Sequence, residues 1–176
     1  MLSLLYPNMF ISSLFHLEPE ILLQRGIKNI LFDLDNTIVP RDKPKCEQAV
    51  EDWLKNLLNL GFSVAIVSNN GPERVNSLAN PLNSPAVTRA VKPMKRAFKN
   101  GLVLLNARPE NTAILGDQIF TDILGGNRLD LFTILVVPME GKEFWATSLF
   151  NRRLERPVIK KIEQRTAGKT GCFLLK

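Results

Sequence analysis

Residues 28–39 read KNILFDLDNTIV, and this stretch decides the fold. Lys28–Asp33 is a short apolar run entered through Gly26, with aliphatic or aromatic side chains on both faces of an extended backbone. That pattern suits a strand inside a parallel sheet, where helices cover both faces and neither meets water. The run then stops at Asp33-Leu34-Asp35-Asn36-Thr37, where carboxylates and turn-forming residues replace the aliphatic ones.

Working outward, strand and helix patterns alternate. Glu47–Leu60 places Val50, Trp53, Leu54, Leu57 and Leu58 at helical spacing before Gly61 ends it. Phe62–Val67 reads as a second buried strand. Gly71–Leu82 reads as a helix opened by Pro72, and Val87–Val91 as a third, weaker strand. Pro93–Asn106 is a helix with Ala97, Phe98, Gly101 and Leu102 on one face. Thr112–Leu115 is a strand, Phe120–Leu129 a helix, Phe132–Val137 a strand and Glu143–Arg156 a last helix. Alternation of this kind predicts one doubly wound, Rossmann-like α/β domain: a parallel sheet with helices on both faces, spanning residues 1–157. No inserted cap domain is expected, and a basic tail is expected over residues 158–176.

The composition agrees with a single core. The chain has 176 residues, 45% of them hydrophobic and 23% charged, which excludes a disordered chain, a fibre and a multi-pass membrane protein. Cys46 and Cys172 lie too far apart in sequence to suggest a disulfide framework or a zinc site. Residues 1–140 carry 14 Lys or Arg and 14 Asp or Glu, so the net charge of +6 belongs to residues 141–176. Such a tail suits anionic lipid, nucleic acid or plain solvation. Residues 1–17 carry no fixed charge and are too short and too interrupted for a spanning helix. They read as a segment covering an edge of the core or, second, as one lying in a membrane interface.

In a doubly wound fold, chemistry collects where loops leave the carboxyl ends of the strands. Here those ends read Asp33…Thr37, Ser68-Asn69-Asn70, Lys92-Pro93 and Gly116-Asp117, with Asp122 five residues on. Three carboxylates, Asp33, Asp35 and Asp117, converging at one edge repel each other and call for a cation. All-oxygen ligands favour Mg²⁺ over zinc. Lys92 and Ser68 beside such a site suit a phosphate dianion. An in-line aspartate can attack phosphorus, and a second carboxyl can protonate the leaving alcohol and then activate water.

These residues resemble the motifs of the haloacid dehalogenase (HAD) phosphohydrolases: DxDxT at Asp33–Thr37, then Ser68, Lys92, and Gly116-Asp117 with Asp122. The resemblance implies Asp33 as nucleophile, Asp35 as acid/base, and Lys92 with Ser68 as phosphate binders. It also implies Mg²⁺ held by Asp33, Asp117 and the main-chain carbonyl of Asp35, with Asp122 as a supporting carboxylate. Thr37, Asn69 and Asn70 are further candidates for contact with substrate. Within the superfamily, DLDNTIV, VSNN with Arg74, GDQIFTD, GGNR and NRR with Glu155 are similar to the YqeG-like branch of subfamily IIIA. That branch is related to phosphatidylglycerophosphate phosphatases. Asp130 stands where the resemblance implies a glycine.

The resemblance implies a Mg²⁺-dependent phosphatase acting on phosphatidylglycerophosphate in phospholipid biosynthesis. The gaps between motifs are too short for a lid of ~50 residues or more, so the site is expected to be open to a large substrate. A phosphoprotein, a nucleic-acid 3′ end or a soluble metabolite are the alternatives, and a non-catalytic binding module is a third class. Peripheral attachment to an anionic membrane, from the cytoplasm or an equivalent organellar compartment, is expected, with Trp145 and Arg152, Arg153 and Arg156 as minority lipid contacts. No nucleic-acid surface is expected from a charge of +6 without interleaved aromatics. The oligomeric state is open.

Overall fold

The computed structural model describes residues 2–139, 155, 157–162, 164–166 and 169–176. In chain order the elements are β1 (Met9–Ile11), α1 (Pro19–Gln24), β2 (Asn29–Phe32), α2 (Gln48–Asn59), β3 (Ser63–Val67), α3 (Pro72–Ala79) and β4 (Ala86–Val87). They continue with α4 (Lys95–Leu104), β5 (Thr112–Gly116), a π-helical turn (Ile119–Ile123), α5 (Leu124–Asn127), β6 (Phe132–Val136) and β7 (Cys172–Leu174). The sheet order is β4-β3-β2-β5-β6-β1-β7, parallel throughout except for β7 against β1. This is the α/β architecture expected from the alternation. Because β2, an interior strand, is buried at every position, it is apolar from Ile30 to Phe32, and its one polar side chain, Asn29, donates to the Asn111 main-chain and side-chain oxygens at 3.1 and 3.0 Å.

One layer of core lies between the sheet and α2, with Val50, Leu54 and Leu57 turned inward and Trp53 edge-on to Phe32 at 5.8 Å. The opposite layer gathers Phe98 and Leu102 of α4 against Leu31, Val67 and Ile114. Gly125 and Gly126 are packing glycines: a Cβ on the first would overlap the Phe98 ring, and on the second Ile114 and Thr133. Asp130 has φ +58°, the left-handed conformation that glycine takes at least cost.

Both ends of the chain differ from expectation. The apolar N-terminal stretch does bury side chains, Met9, Ile11, Leu14 and Leu17 among them, but as a strand within the sheet rather than a cover at its edge. Its register with β6, Met9 opposite Ile134, is fixed by Asn8, which exchanges hydrogen bonds with Thr133 at 2.9 Å in each direction. The basic stretch over residues 158–176, for which the sequence leaves lipid, nucleic acid and solvent all open, returns in its described part to the molecule. Residues 157–162 and 164–166 are helical, and Val158 and Ile162 pack on Ile119, Ile123 and Leu135. Cys172–Leu174 then pairs with β1. Three residues of strand among lysines give too short an alternation to read from sequence.

Two interior elements also differ. Val87–Val91 pairs only through Ala86–Val87, after which the chain turns away through Arg89 and Val91, both at positive φ. The expected helix from Phe120 begins instead with the π-helical turn, whose Ile123 N–H reaches back to the Gln118 carbonyl. The expected helix Glu143–Arg156, with Trp145, Arg152, Arg153 and Arg156, lies outside the described residues, save Glu155.

Candidate active site

The carboxyl ends of β2, β3 and β5 are adjacent in the sheet, so the residues that follow them meet. Asp33 leaves β2 with its N–H on the Leu115 carbonyl at 2.9 Å. Ser68 leaves β3, Asp117 leaves β5, and the loop after β4 brings in Lys92. The Asn69 side chain fixes that loop by accepting the Lys92 N–H at 2.7 Å. Asp122 enters from the π-helical turn, a local widening that recurs at functional sites. Gly116 makes room for it, since a Cβ there would overlap the Asp122 carboxyl group. Asp33, Asp117 and Asp122 offer carboxylate oxygens that all lie within 4.8 Å of one another.

One cation sits among them. The Lys92 ammonium donates to Asp33 Oδ1 at 2.5 Å and to Asp122 Oδ1 at 2.6 Å. Its side chain is 2% exposed. Burial alone would lower the lysine, but the Asp122 and Asp33 carboxylates hold it above its ordinary value. Asp122 Oδ2 also accepts the Gln118 N–H at 3.2 Å, so this carboxylate is satisfied on both oxygens. Asp33 is less well compensated. Burial, with Asp122 adding to it, overcomes Lys92 and pushes the Asp33 carboxyl up to about 6. Burial and then the charges of Asp33 and Asp122 push Asp117 well above the usual carboxylate range.

Charge counting then tests for a metal. With all three ionised, a single ammonium against three carboxylates leaves two negative charges in a largely buried site, each carboxylate pair repelling by about 3 kcal/mol at an effective dielectric near 20. Lys92 is committed to Asp33 and Asp122, and the buried Asp117 Oδ1 has no hydrogen-bond partner among the described residues. A buried, partnerless carboxylate oxygen beside a second carboxylate is what a hard divalent cation occupies. The donor set fits such an ion.

Asp35 is differently placed from the sequence expectation. The third carboxylate of the cluster is Asp122, while the Asp35 side chain faces Asn70 and Arg74. Asn70 Nδ2 donates to Asp35 Oδ2 at 2.6 Å, and Arg74 reaches Oδ1 through Nε at 2.9 Å and through its terminal nitrogen at 2.8 Å. Arg74 also donates to the Pro40 and Lys43 carbonyls at 3.4 and 3.0 Å, so it joins Asp35 to the loop beyond it. Asn36, at φ +59°, turns the chain immediately after Asp35.

The remaining candidates fall into two groups. Thr37 is fully buried, its hydroxyl 3.5 Å from Asp33 Oδ2. Ser68 is buried, and its oxygen accepts both the main-chain and side-chain N–H of Asn70 at 3.2 Å. Asn69 is exposed beside Lys92. Sequence reasoning missed Arg74 as the partner of Asp35, marking it as part of the family resemblance. It also missed the clearance at Gly116 and the role of Glu155, which accepts the Ile119 N–H at 3.0 Å and anchors the π-helical turn. A lone Arg or Glu far along the chain carries no sequence signal for such pairing.

Comparison with known proteins agrees with the geometry. A family model for HAD-hydrolase-like proteins matches residues 90–140. The chain is 38% identical over 159 residues to a protein of Bacillus subtilis described as probable phosphatase YqeG, covering 90% of this chain and 92% of that one. It is 23% identical to phosphatidylglycerophosphate phosphatase 1, chloroplastic/mitochondrial, of Arabidopsis thaliana, covering 88% of this chain but 47% of that protein. In fold it is similar to a HAD phosphatase of Thermococcus onnurineus, with a TM-score of 0.55 at 14% identity over 73% of this chain and 97% of the other. NagD from E. coli K-12 gives a TM-score of 0.53 at 14% identity over 65% and 89%.

Proposed function

The chain belongs to the HAD-like hydrolases and is a phosphatase of that superfamily; from this premise we propose that it is a Mg²⁺-dependent phosphatidylglycerophosphate phosphatase working through an aspartyl phosphate on Asp33. The observation that carries the reading is the group of Asp33, Asp117 and Asp122 around Lys92, with a buried Asp117 oxygen at the end of β5 that has no hydrogen-bond partner among the described residues.

In the first half-reaction a carboxylate oxygen of Asp33 bonds to phosphorus and the P–O bond to the alcohol breaks. Asp35 gives its proton to the departing oxygen. In the second, water attacks the phosphorus of the acyl phosphate, Asp35 takes the proton, and the bond to Asp33 breaks to release inorganic phosphate. Asp33 and Asp117, with the main-chain carbonyl of Asp35, would hold Mg²⁺, which when bound neutralises phosphate and carboxylate charge. Lys92 keeps Asp33 oriented and offers an ammonium to a phosphoryl oxygen, and Asp122 keeps Lys92 in place. Thr37 orients Asp33 from below, and Ser68, Asn69 and Asn70 line the approach for phosphate oxygens.

The lipid substrate rests on the Arabidopsis relative and on the open approach. Between Asp33 and Ser68 the chain holds one loop, α2 and β3, and between Ser68 and Lys92 only α3 and β4, so neither gap holds a lid. Phosphate release from phosphatidylglycerophosphate in mixed micelles with Mg²⁺, beside a panel of soluble esters, tests the reading. Release from the lipid that stops with chelator and with Asp33→Asn is expected. Release from soluble esters alone would move the substrate and keep the chemistry; release from none would end the phosphatase reading.

A further inference from the structure

The loops at the carboxyl edge of the sheet surround the candidate site with a rim of unusual composition. Exposed apolar side chains stand on opposite sides of it: Val91 and Met94, 59% and 60% exposed, flank Lys92, while Phe15 and Val137, 52% and 43% exposed, leave the ends of β1 and β6. Each side is tied to the site. Met94 N–H bonds the Val91 carbonyl at 3.0 Å, directly across Lys92. Phe15, Val137 and Met139 line a cavity of about 310 Å³ with Pro40, and Met139 N–H bonds the Asn36 carbonyl of the aspartate loop at 2.8 Å.

Basic residues share the rim. Lys43 is held beside Asp35 through its carbonyl on Arg74, and the Arg89 N–H bonds the Asn70 carbonyl at 2.8 Å. Both are exposed, as are Lys45 and, at the start of α4, Lys95 and Arg96; among the described residues Asp42 and Glu47 are exposed acids beside them, fewer than the bases. A negative pit thus opens through a positive, partly apolar collar. Val91, a β-branched residue at φ +58°, is kept exposed in a conformation of appreciable cost.

We propose that this carboxyl-edge rim, formed by Phe15, Lys43, Arg89, Val91, Met94 and Val137, docks on the surface of an anionic phospholipid bilayer, with the site facing the lipid headgroups. Cationic side chains meet the anionic surface while apolar tips enter the acyl boundary. A nucleic acid or an acidic protein would use the charges but leave the dispersed apolar tips in water. The proposal deepens the lipid-phosphatase reading and assigns the membrane contact to the rim, to which the N-terminal segment contributes only Phe15, its Met9, Ile11, Leu14 and Leu17 being in the core.

The test is co-sedimentation of the full chain with vesicles of phosphatidylcholine, alone or containing phosphatidylglycerol, beside hydrolysis of a soluble phosphate ester. The wild type is expected to bind the anionic vesicles and release them as salt rises. Lys43→Gln with Arg89→Gln should weaken that binding about 25-fold, about fivefold for each cation removed. Phe15→Ser with Met94→Ser should lower binding to both vesicle types, and both double variants should hydrolyse the soluble ester unchanged. An ester-active wild type that ignores anionic vesicles, or rim variants that bind as well as wild type, would overturn the docking proposal. Loss of ester hydrolysis by the wild type itself would strike instead at the phosphatase reading.

Discussion

A carboxyl that stays protonated in the folded protein makes stability depend on pH in a direction opposite to that of most carboxylates. Asp33 titrates at 3.8 in a free chain and at about 6 when folded, because burial, aided by Asp122, outweighs Lys92. Between these values the folded protein holds a proton that the unfolded chain has released. Its contribution is therefore fully present below about pH 4 and is lost as pH rises through about 6. A displacement of about two pH units corresponds to ~3 kcal/mol. Asp117, raised for the same reasons, acts in the same direction. Urea unfolding in chelator from about pH 4 to about pH 7.5, on wild type and Asp33→Asn, isolates the effect as the difference between the two. With a slope of ~2 kcal/mol per molar urea, the wild-type midpoint should fall by ~1.5 M relative to the variant over this range. Mg²⁺ in hundredfold excess over its dissociation constant should restore about 2.7 kcal/mol near neutrality. A difference that is flat, or that rises with pH, would refute the view that burial dominates Asp33.

Gly116→Ala should displace the Asp122 carboxyl, uncouple it from Lys92 and cost several kcal/mol in thermal unfolding together with most of the activity. Arg74→Gln should slow alkyl phosphates, whose leaving oxygen needs a proton, far more than aryl phosphates, which leave unaided; equal losses on both would mean that Arg74 does not act through Asp35. Truncation before Gly171 removes the β7 ladder and the Phe173 stack on Phe10, and should cost ~2–4 kcal/mol in urea unfolding.

The central sheet was legible because β2, β3, β5 and β6 are buried on both faces, and continuous apolar runs have few other homes. The site followed from it, since the polar residues that stop those runs all lie at one edge. Geometry that depends on two distant residues was not legible. That Asp122 rather than Asp35 completes the carboxylate group turns on a π-helical turn and on the clearance at Gly116, neither of which alters hydrophobic periodicity. The position of β1 was hidden because its neighbours, β6 and β7, come 125 and more residues later in the chain.

That separation governs the order of assembly during synthesis. At ~5–20 residues per second, β1 leaves the ribosome roughly 6–25 s before β6, its parallel neighbour, exists. Through that interval Met9, Phe10, Ile11 and Leu14 are an unpaired greasy arm, while β2, β3 and β5 can already join and draw the phosphoryl-transfer residues together. The nascent protein is thus expected to form its reaction centre first and to close its flank last, with the waiting arm a natural target for a holding chaperone.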